Sequence, residues 1–322
     1  MNRIIISILL FILCACGGPS GRTGSADVAQ TIHIATLKGP SAMGMIKMID
    51  SLSYAPSDND ISIKIYTEPM LVRKAMLDGT ADFAALPMNM AAVLYNKGLD
   101  YSLAAVPVSG SLYLAGSDTS ITRWEDLRGR KVHIMAKGMT PDAIFRYLLV
   151  QNGLTPDEDV ILDYNFPTHT DMASALASGR ATLGVISEPY ISMVMTKNSL
   201  VHPIIDLNRE WAKIHGYNIT ETAFLVKTEL IESQSERVQA VLDGYAASIS
   251  WVNHNQDSAA ALMVKFQIIS DTSAARISIP QSHLIFRRAR DHKDEINAYL
   301  RTLFEMSPGL IGGKLPDEAF YQ

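Results

Sequence analysis

The stretch IHIATLKGPS, residues 32–41, combines a β-branched apolar run, a Lys-Gly turn and a hydroxyl residue at a helix start. The same order returns later in the chain, where Val132-His133-Ile134 is followed by the turn KGMT at 137–140. A second pair of segments repeats behind the first, GTADFA at 79–84 and GRATLG at 179–184. Because both matches occur in the same order, they predict two similar lobes.

Short β-branched runs alternate with helical patterns along most of the chain. We predict strands over 31–37, 61–66 and 81–85, and helices over 41–52, 68–77 and 88–95. This alternation is typical of βαβ units. The predicted fold class is therefore α/β, with two lobes that are each a mainly parallel sheet flanked by helices, and with a ligand cleft between the lobes.

The repeat also predicts domain boundaries. We assign 31–107 together with 220–322 to lobe 1 and 117–206 to lobe 2, with 108–116 and 207–219 as crossover segments. The C-terminal part is placed back on lobe 1 because it holds more helical chain than the second lobe needs.

Residues 1–15 have the layout of an export signal, in which Arg3 precedes an apolar run over 4–13. The run is too short for a bilayer span, which needs about 20 apolar residues. Its end is similar to a bacterial lipobox, so we predict that Cys16 carries lipid and begins a tether over 16–30. The protein would then be anchored to a membrane and face outside the cytoplasm. An ordinary cleaved signal with a chance cysteine is the alternative.

Composition excludes several function classes. Both cysteines, Cys14 and Cys16, lie in the signal region, so the folded body has no disulfide and no thiolate nucleophile. A net charge of -5 argues against nucleic-acid binding. The eight histidines lack metal-ligand spacing, and no serine-hydrolase, Walker or dinucleotide motif occurs. We therefore expect no catalytic residues, no metal and no cofactor.

The strand-to-helix turns are the candidate ligand site, because ligands of open α/β sheets bind outside the carboxyl ends of the strands. Ser41 and Thr140 suit N-cap roles, and two helix starts facing each other favour a polar or anionic small molecule. Glu188 has two interpretations: it complements a helix dipole, or it accepts a hydrogen bond from an amine or ring N–H. Tyr190 stacks on a ligand ring or packs in the core.

Several motifs resemble one known family. LKGPSAMG at 37–44, DLRG at 126–129, SEP at 187–189 and SWVN at 250–253 are similar to ABC-importer solute-binding proteins. The group includes sulfonate, nitrate, taurine and thiamine-precursor binders. The resemblance implies a type II periplasmic-binding-protein fold that closes on a small-molecule ligand and delivers it to an ABC permease and ATPase complex.

By position, the resemblance assigns ligand-binding roles to eleven residues in the cleft turns. They are Lys38, Gly39, Pro40, Ser41, Ala42, Asn89, Gly138, Met139, Thr140, Glu188 and Tyr190. Arginine is absent from these turns, which argues against a sulfonate or nitrate clamp and leaves an amine-bearing heterocycle open.

Two other function classes remain as alternatives. Related proteins with this fold are enzymes of pyrimidine-precursor or menaquinone synthesis, and a lipoprotein with this cleft could act as a sensor. Fold analogy alone does not decide among them.

Overall fold

A computed structural model describes residues 31–54, 60–135 and 137–322, and 31–322 form one compact unit. The predicted signal, Cys16 and tether lie outside these residues. The strands are β1 (Ile32–Leu37), β2 (Ile61–Tyr66), β3 (Phe83–Pro87), β4 (Tyr101–Ser109), β5 (Leu112–Gly116), β6 (Lys131–Ile134), β7 (Ile161–Asp163), β8 (Leu183–Ser187), β9 (His202–Asp206), β10 (Thr220–Lys227) and β11 (Leu284–Arg288). The helices are α1 (Pro40–Gly44), α2 (Ile46–Ser53), α3 (Pro69–Leu77), α4 (Met88–Asn96), α5 (Thr140–Gln151), α6 (His169–Ala177), α7 (Tyr190–Met195), α8 (Leu207–His215), α9 (Thr228–Ser233), α10 (Ser235–His254), α11 (Gln256–Lys265), α12 (Thr272–Gln281) and α13 (Lys293–Met306).

The strands form two sheets. The first has six strands in the order β11-β4-β10-β3-β1-β2, and the second has five in the order β7-β6-β8-β5-β9. In the first sheet β1 pairs in parallel with β2 and β3, while β4, β10 and β11 pair antiparallel. In the second sheet β6, β7 and β8 are parallel, and β5 pairs antiparallel with β8 and β9.

The sheets are therefore mixed, and our expectation of mainly parallel sheets was too simple. The strands by which the chain enters a sheet from the other one, β5 and β10, run against the parallel strands, as does β11. Each sheet keeps three parallel strands in the same arrangement, β2-β1-β3 in the first and β7-β6-β8 in the second. The repeated motif predicts β1 and β3 in the first sheet and β6 and β8 in the second. The α/β class with two helix-flanked sheets is confirmed.

The crossover segments also differ from the expectation. Residues 112–116 of the predicted crossover form β5, inside the second sheet, so only Gly110 and Ser111 separate β4 from β5. Residues 207–215 form α8, which packs on β5 and α5. The apolar character of residues 112–116 explains why they form a strand inside the sheet, because all five residues of β5 are buried.

The predicted helix over 41–52 is divided into α1 and α2 at Met45. We did not predict α12 or β11. Helix α12 contains an internal proline, Pro280, and β11 carries two arginines in five residues, so neither has a clean apolar period. No helix among the described residues has the length and apolarity needed to cross a membrane.

Gly116 provides a test of the second sheet. A Cβ atom there would lie 2.1 Å from the carbonyl oxygen of Thr182, on the chain that leads into β8. We expect Gly116→Ala to lower the unfolding free energy by about 1–3 kcal/mol, because the backbone has to move apart. Chemical denaturation measures this change.

Gly244→Ala is the matched control. Its Cβ atom would meet only the flexible end of Met48, at 3.6 Å, on the surface of α10. Since alanine favours a helix over glycine, we expect a gain of about 0.5–1 kcal/mol. Equal stability of the two variants would contradict the pairing of β5 with β8.

Candidate functional site

A cavity of about 290 Å³, here called the inner chamber, lies where turns from both sheets meet. Most of its walls come from residues at or just after the ends of six parallel strands, β1, β2, β3, β6, β7 and β8, and β5 and β10 contribute one residue each. The lining residues are Leu37, Lys38, Gly39, Pro40, Ser41, Thr67, Glu68, Pro69, Pro87, Asn89, Leu112, Met135, Met139, Thr140, Pro141, Pro167, Thr168, His169, Thr170, Ser187, Glu188, Tyr190 and Glu221. This is the strand edge at which open α/β sheets bind ligands.

Nine of the eleven sequence-predicted site residues line the inner chamber. They are Lys38, Gly39, Pro40, Ser41, Asn89, Met139, Thr140, Glu188 and Tyr190. Ala42 in α1 does not line the chamber, because it is fully buried in the core. Gly138 also lies outside the lining, and its N–H donates to the Asp142 carboxylate at 2.7 Å. The predicted turns therefore come together at one cavity, whereas Ala42 and Gly138 lie outside its lining.

The predicted N-cap roles of Ser41 and Thr140 are wrong. The N-cap positions are Gly39 in α1 and Met139 in α5, and neither helix has a side-chain cap. A proline in the first turn of each helix shifts the helix start ahead of the expected position. The Thr140 hydroxyl is consequently buried without a hydrogen-bond partner.

Glu188 is the most unusual group in the inner chamber. It follows β8 and its side chain is almost fully buried, with Oε1 accepting from the Ser192 hydroxyl at 3.0 Å. The Oε2 oxygen has no partner. Burial raises the pKa of Glu188 to about 8, since loss of water disfavours the charged form. An unsatisfied buried carboxyl oxygen is costly, and a ligand that donated to it would remove that cost.

Glu221 on β10 is a second buried carboxyl, which the sequence analysis missed. It accepts hydrogen bonds from the Ser111 N–H and, at 3.0 Å, from the Ser111 hydroxyl. Burial raises its pKa, whereas the bonds from Ser111 lower it less. The only sequence signal is an acid directly before the apolar run at 222–226. That signal does not reveal a site, because β10 enters the cavity from the far end of the chain.

A pair of stacked rings forms another part of the wall. His169 lies at the start of α6, and its ring centroid is 4.9 Å from that of Tyr190. The His169 Nδ1 is 3.1 Å from the Ser187 hydroxyl oxygen. Burial lowers the pKa of His169 to about 4, so the imidazole is neutral at pH 7. The sequence analysis named Tyr190 but missed His169, because β7, the strand before it, has only three residues.

The ionisable lining of the inner chamber is mostly acidic. Glu68, Glu188 and Glu221 face a single basic side chain, Lys38, and none of the lining residues is an arginine. An arginine fork is the side chain that binds phosphate-like oxyanions through two parallel hydrogen bonds. Across the described residues, no group of three His, Cys, Asp or Glu side chains is placed to hold a metal ion.

Two helix-flanked sheets whose strand-end turns enclose one cavity define a type II periplasmic binding protein. The chain belongs to the periplasmic substrate-binding protein family of ABC transporters. The model of that family, described as "ABC transporter, phosphonate, periplasmic substrate-binding protein", matches residues 47–272. The resemblance drawn from the motifs is thus confirmed, and the family is one that acts outside the cytoplasm.

Solved structures share this fold. An ABC transporter protein from Parabacteroides distasonis superposes with a TM-score of 0.79 and 26% identity, covering 91% of this chain and 99% of that chain. The aliphatic sulphonate binding protein SsuA from Escherichia coli gives 0.70 and 18%, with 90% of each chain covered. The desulfurization enzyme DSZB gives 0.60 and 16%, covering 91% of this chain and 96% of that chain. No curated protein matches this sequence significantly.

The pKa of Glu188 makes stability depend on pH. Between its ordinary value of 4.5 and about 8, the folded protein holds a proton that the unfolded chain has released. Stability from this group is therefore fully present below pH 4.5 and is lost as pH rises through 8. We expect the unfolding free energy of Glu188→Gln, relative to wild type, to rise by about 2–4 kcal/mol between pH 5 and pH 8.

Urea denaturation of both proteins at several pH values measures this difference. His169 contributes the opposite slope, because its lowered pKa removes stability as pH falls from 6.5 towards 4. That slope is common to both proteins and cancels in the comparison. Parallel stability curves for wild type and variant would show that Glu188 titrates normally.

Proposed function

We propose that this protein is the substrate-capturing component of an ABC importer, and that its solute is a small ring compound presenting N–H donors. The observation that carries the proposal is the unpartnered Oε2 oxygen of buried Glu188 in the wall of the inner chamber. Glu221 supplies a second buried carboxyl in the same wall, and the His169–Tyr190 pair supplies a flat aromatic surface.

An N–H-bearing solute fits this wall better than an oxyanion does. An amidine or aminoheterocycle would donate to Glu188 while its ring lay near the aromatic pair. Once Glu188 is ionised, a sulfonate or phosphonate would lie near three carboxyl side chains with only Lys38 to balance its charge. The helix starts around the chamber favour anions, but each contributes only about 0.3–1 kcal/mol. A charge left without a partner beside buried carboxyls costs more.

Binding is proposed in preference to catalysis. DSZB shows that an enzyme can have a similar fold, but the matching family is one of transport proteins. Three serines contact ionisable groups of the inner chamber: Ser192 contacts Glu188, Ser111 contacts Glu221 and Ser187 contacts His169. None of these contacts extends into a nucleophile–base–acid series. Side chains held in place around one hydrogen-bond acceptor without a partner are the arrangement that a substrate-binding protein requires.

Lipid anchoring and delivery to a permease complete the proposal. Cys16 would carry the lipid, and residues 16–30 would tether the folded unit to the outer face of a membrane. A bound solute would draw the two lobes together, as in hinge closure, and the closed form would dock on a permease with its ATPase.

Benzamidine and benzenesulfonate test the solute class, because they share a ring and differ in the polar group. We expect benzamidine to bind, and its affinity to rise about tenfold between pH 6.5 and pH 8.0 as Glu188 ionises. Glu188→Gln should abolish this pH dependence and weaken binding at least tenfold. Isothermal titration calorimetry measures both effects.

Glu232→Gln is the control variant, since Glu232 is exposed on α9 and lies outside the inner chamber. It should bind benzamidine like wild type. Tighter binding of benzenesulfonate than of benzamidine would overturn the proposed solute class and favour an oxyanion transporter.

The lipid anchor has its own test. We expect Cys16→Ser to lose incorporation of radiolabelled palmitate, because the acceptor thiol is gone. Cys14→Ser is the matched control and should retain the label, as the thiol of Cys14 would be cleaved off with the signal. Equal labelling of the two variants would show that Cys16 is not the lipidated residue.

A further inference from the structure

A second, larger cavity adjoins the inner chamber. It has a volume of about 1090 Å³ and is called here the outer chamber. The two chambers share a wall made by Lys38, Gly39, Thr67, Glu68, Thr170 and Tyr190. A solute in the inner chamber that extends past Tyr190 would therefore enter the outer chamber.

The outer chamber has apolar patches on two sides, while the rest of its lining includes the polar side chains of Lys38, Glu68, Lys197 and Gln267. Ala173 and Ala177 of α6 lie four residues apart and so share a face, and Met193 of α7 stands beside them. Val264 of α11 and Ile268, which follows that helix, line the other side, and Ile268 packs in the core cluster of the first sheet. Helices α7 and α12 are in contact, which joins the two sides.

Small side chains create much of the space. The α6 face consists of Ala173, Ser174, Ala177 and Ser178, none of which reaches far into the chamber. Ser174 is exposed, and Ala173 and Ala177 are half-buried. The inner chamber alone is large enough for one ring system, since a cavity of about 150 Å³ already holds benzene. A solute no larger than its polar head would leave the outer chamber filled only with water.

We infer that the solute is elongated and amphipathic, with an N–H-bearing ring in the inner chamber and an apolar chain or second ring along α6 and α7 in the outer chamber. This inference rests on the proposed function, because it takes the polar end to be held at Glu188. It adds the class of the part of the molecule that extends past Tyr190 into the outer chamber. The apolar surface of Ala173, Met193 and Val264 would cover that part.

Benzamidines with para-alkoxy chains of increasing length are the probes. We expect the dissociation constant for wild type to fall about two- to fourfold per added methylene, over at least three methylenes. We expect the hexyloxy probe to bind wild type more tightly than benzamidine does, and this gain in affinity to be at least tenfold smaller in Ser174→Trp and in Ala173→Phe. Binding of benzamidine itself should change less than twofold.

Ala247→Trp is the matched control, because Ala247 is an exposed alanine on α10 outside both chambers. It should retain the full gain. If Ala173→Phe does not unfold cooperatively, Ser174→Trp still tests the inference, because Ser174 is exposed.

Other outcomes overturn the inference. If benzamidine binds in a Glu188-dependent manner but chain length has no effect, the inference fails and the proposed function stands. If the gain in affinity with alkoxy-chain length persists in Ser174→Trp, the alkoxy chain lies elsewhere, and the inference is also overturned. If benzamidine does not bind at all, the proposed function fails, and this inference fails with it.

Discussion

The short crossover between the two sheets determines where the site lies. Gly110 and Ser111 alone connect β4 to β5, and the Ser111 N–H and hydroxyl both donate to the Glu221 carboxylate on β10. A Cβ atom on Gly110 would lie 2.8 Å from the Cβ of Ile219, so only glycine permits this approach. The Tyr113 hydroxyl, on the second sheet, donates to the Gln281 carbonyl of α12 at 2.8 Å. These contacts keep the strand-end turns of both sheets around one cavity.

The same constraint accounts for the buried carboxyls. Glu221 is held by Ser111 at the crossover, and Glu188 donates its N–H to the Ser111 carbonyl at 3.1 Å. One serine therefore positions the backbone or side chain of both acids. The acids differ in that both oxygens of Glu221 are bonded, whereas Oε2 of Glu188 is not. A buried acceptor without a donor is a site that a ligand can satisfy, and it explains the selectivity we propose.

The repeated motif made much of this predictable. Since KGPS and KGMT each follow a strand, both had to lie at a carboxyl edge, and the predicted turns do line the inner chamber. Periodicity could not assign Glu221 or His169 to the site, because their positions depend on the return of β10 and on the short strand β7. It also could not give the antiparallel direction of strands such as β5, since an apolar run such as 112–116 has the same pattern in either direction. Tertiary pairing, not local sequence, decides these features.

The most direct test of the account is the titration of Glu188 itself. Carboxyl ¹³C chemical shifts of glutamate-labelled protein, assigned by comparison with Glu188→Gln, report its protonation. The account predicts a pKa near 8 in the empty protein and a fall of at least one unit when benzamidine saturates the site, because the bound N–H groups favour the ionised form. A pKa near 4.5 that benzamidine does not change would contradict the account, since Glu188 would then be neither desolvated nor in contact with the ligand.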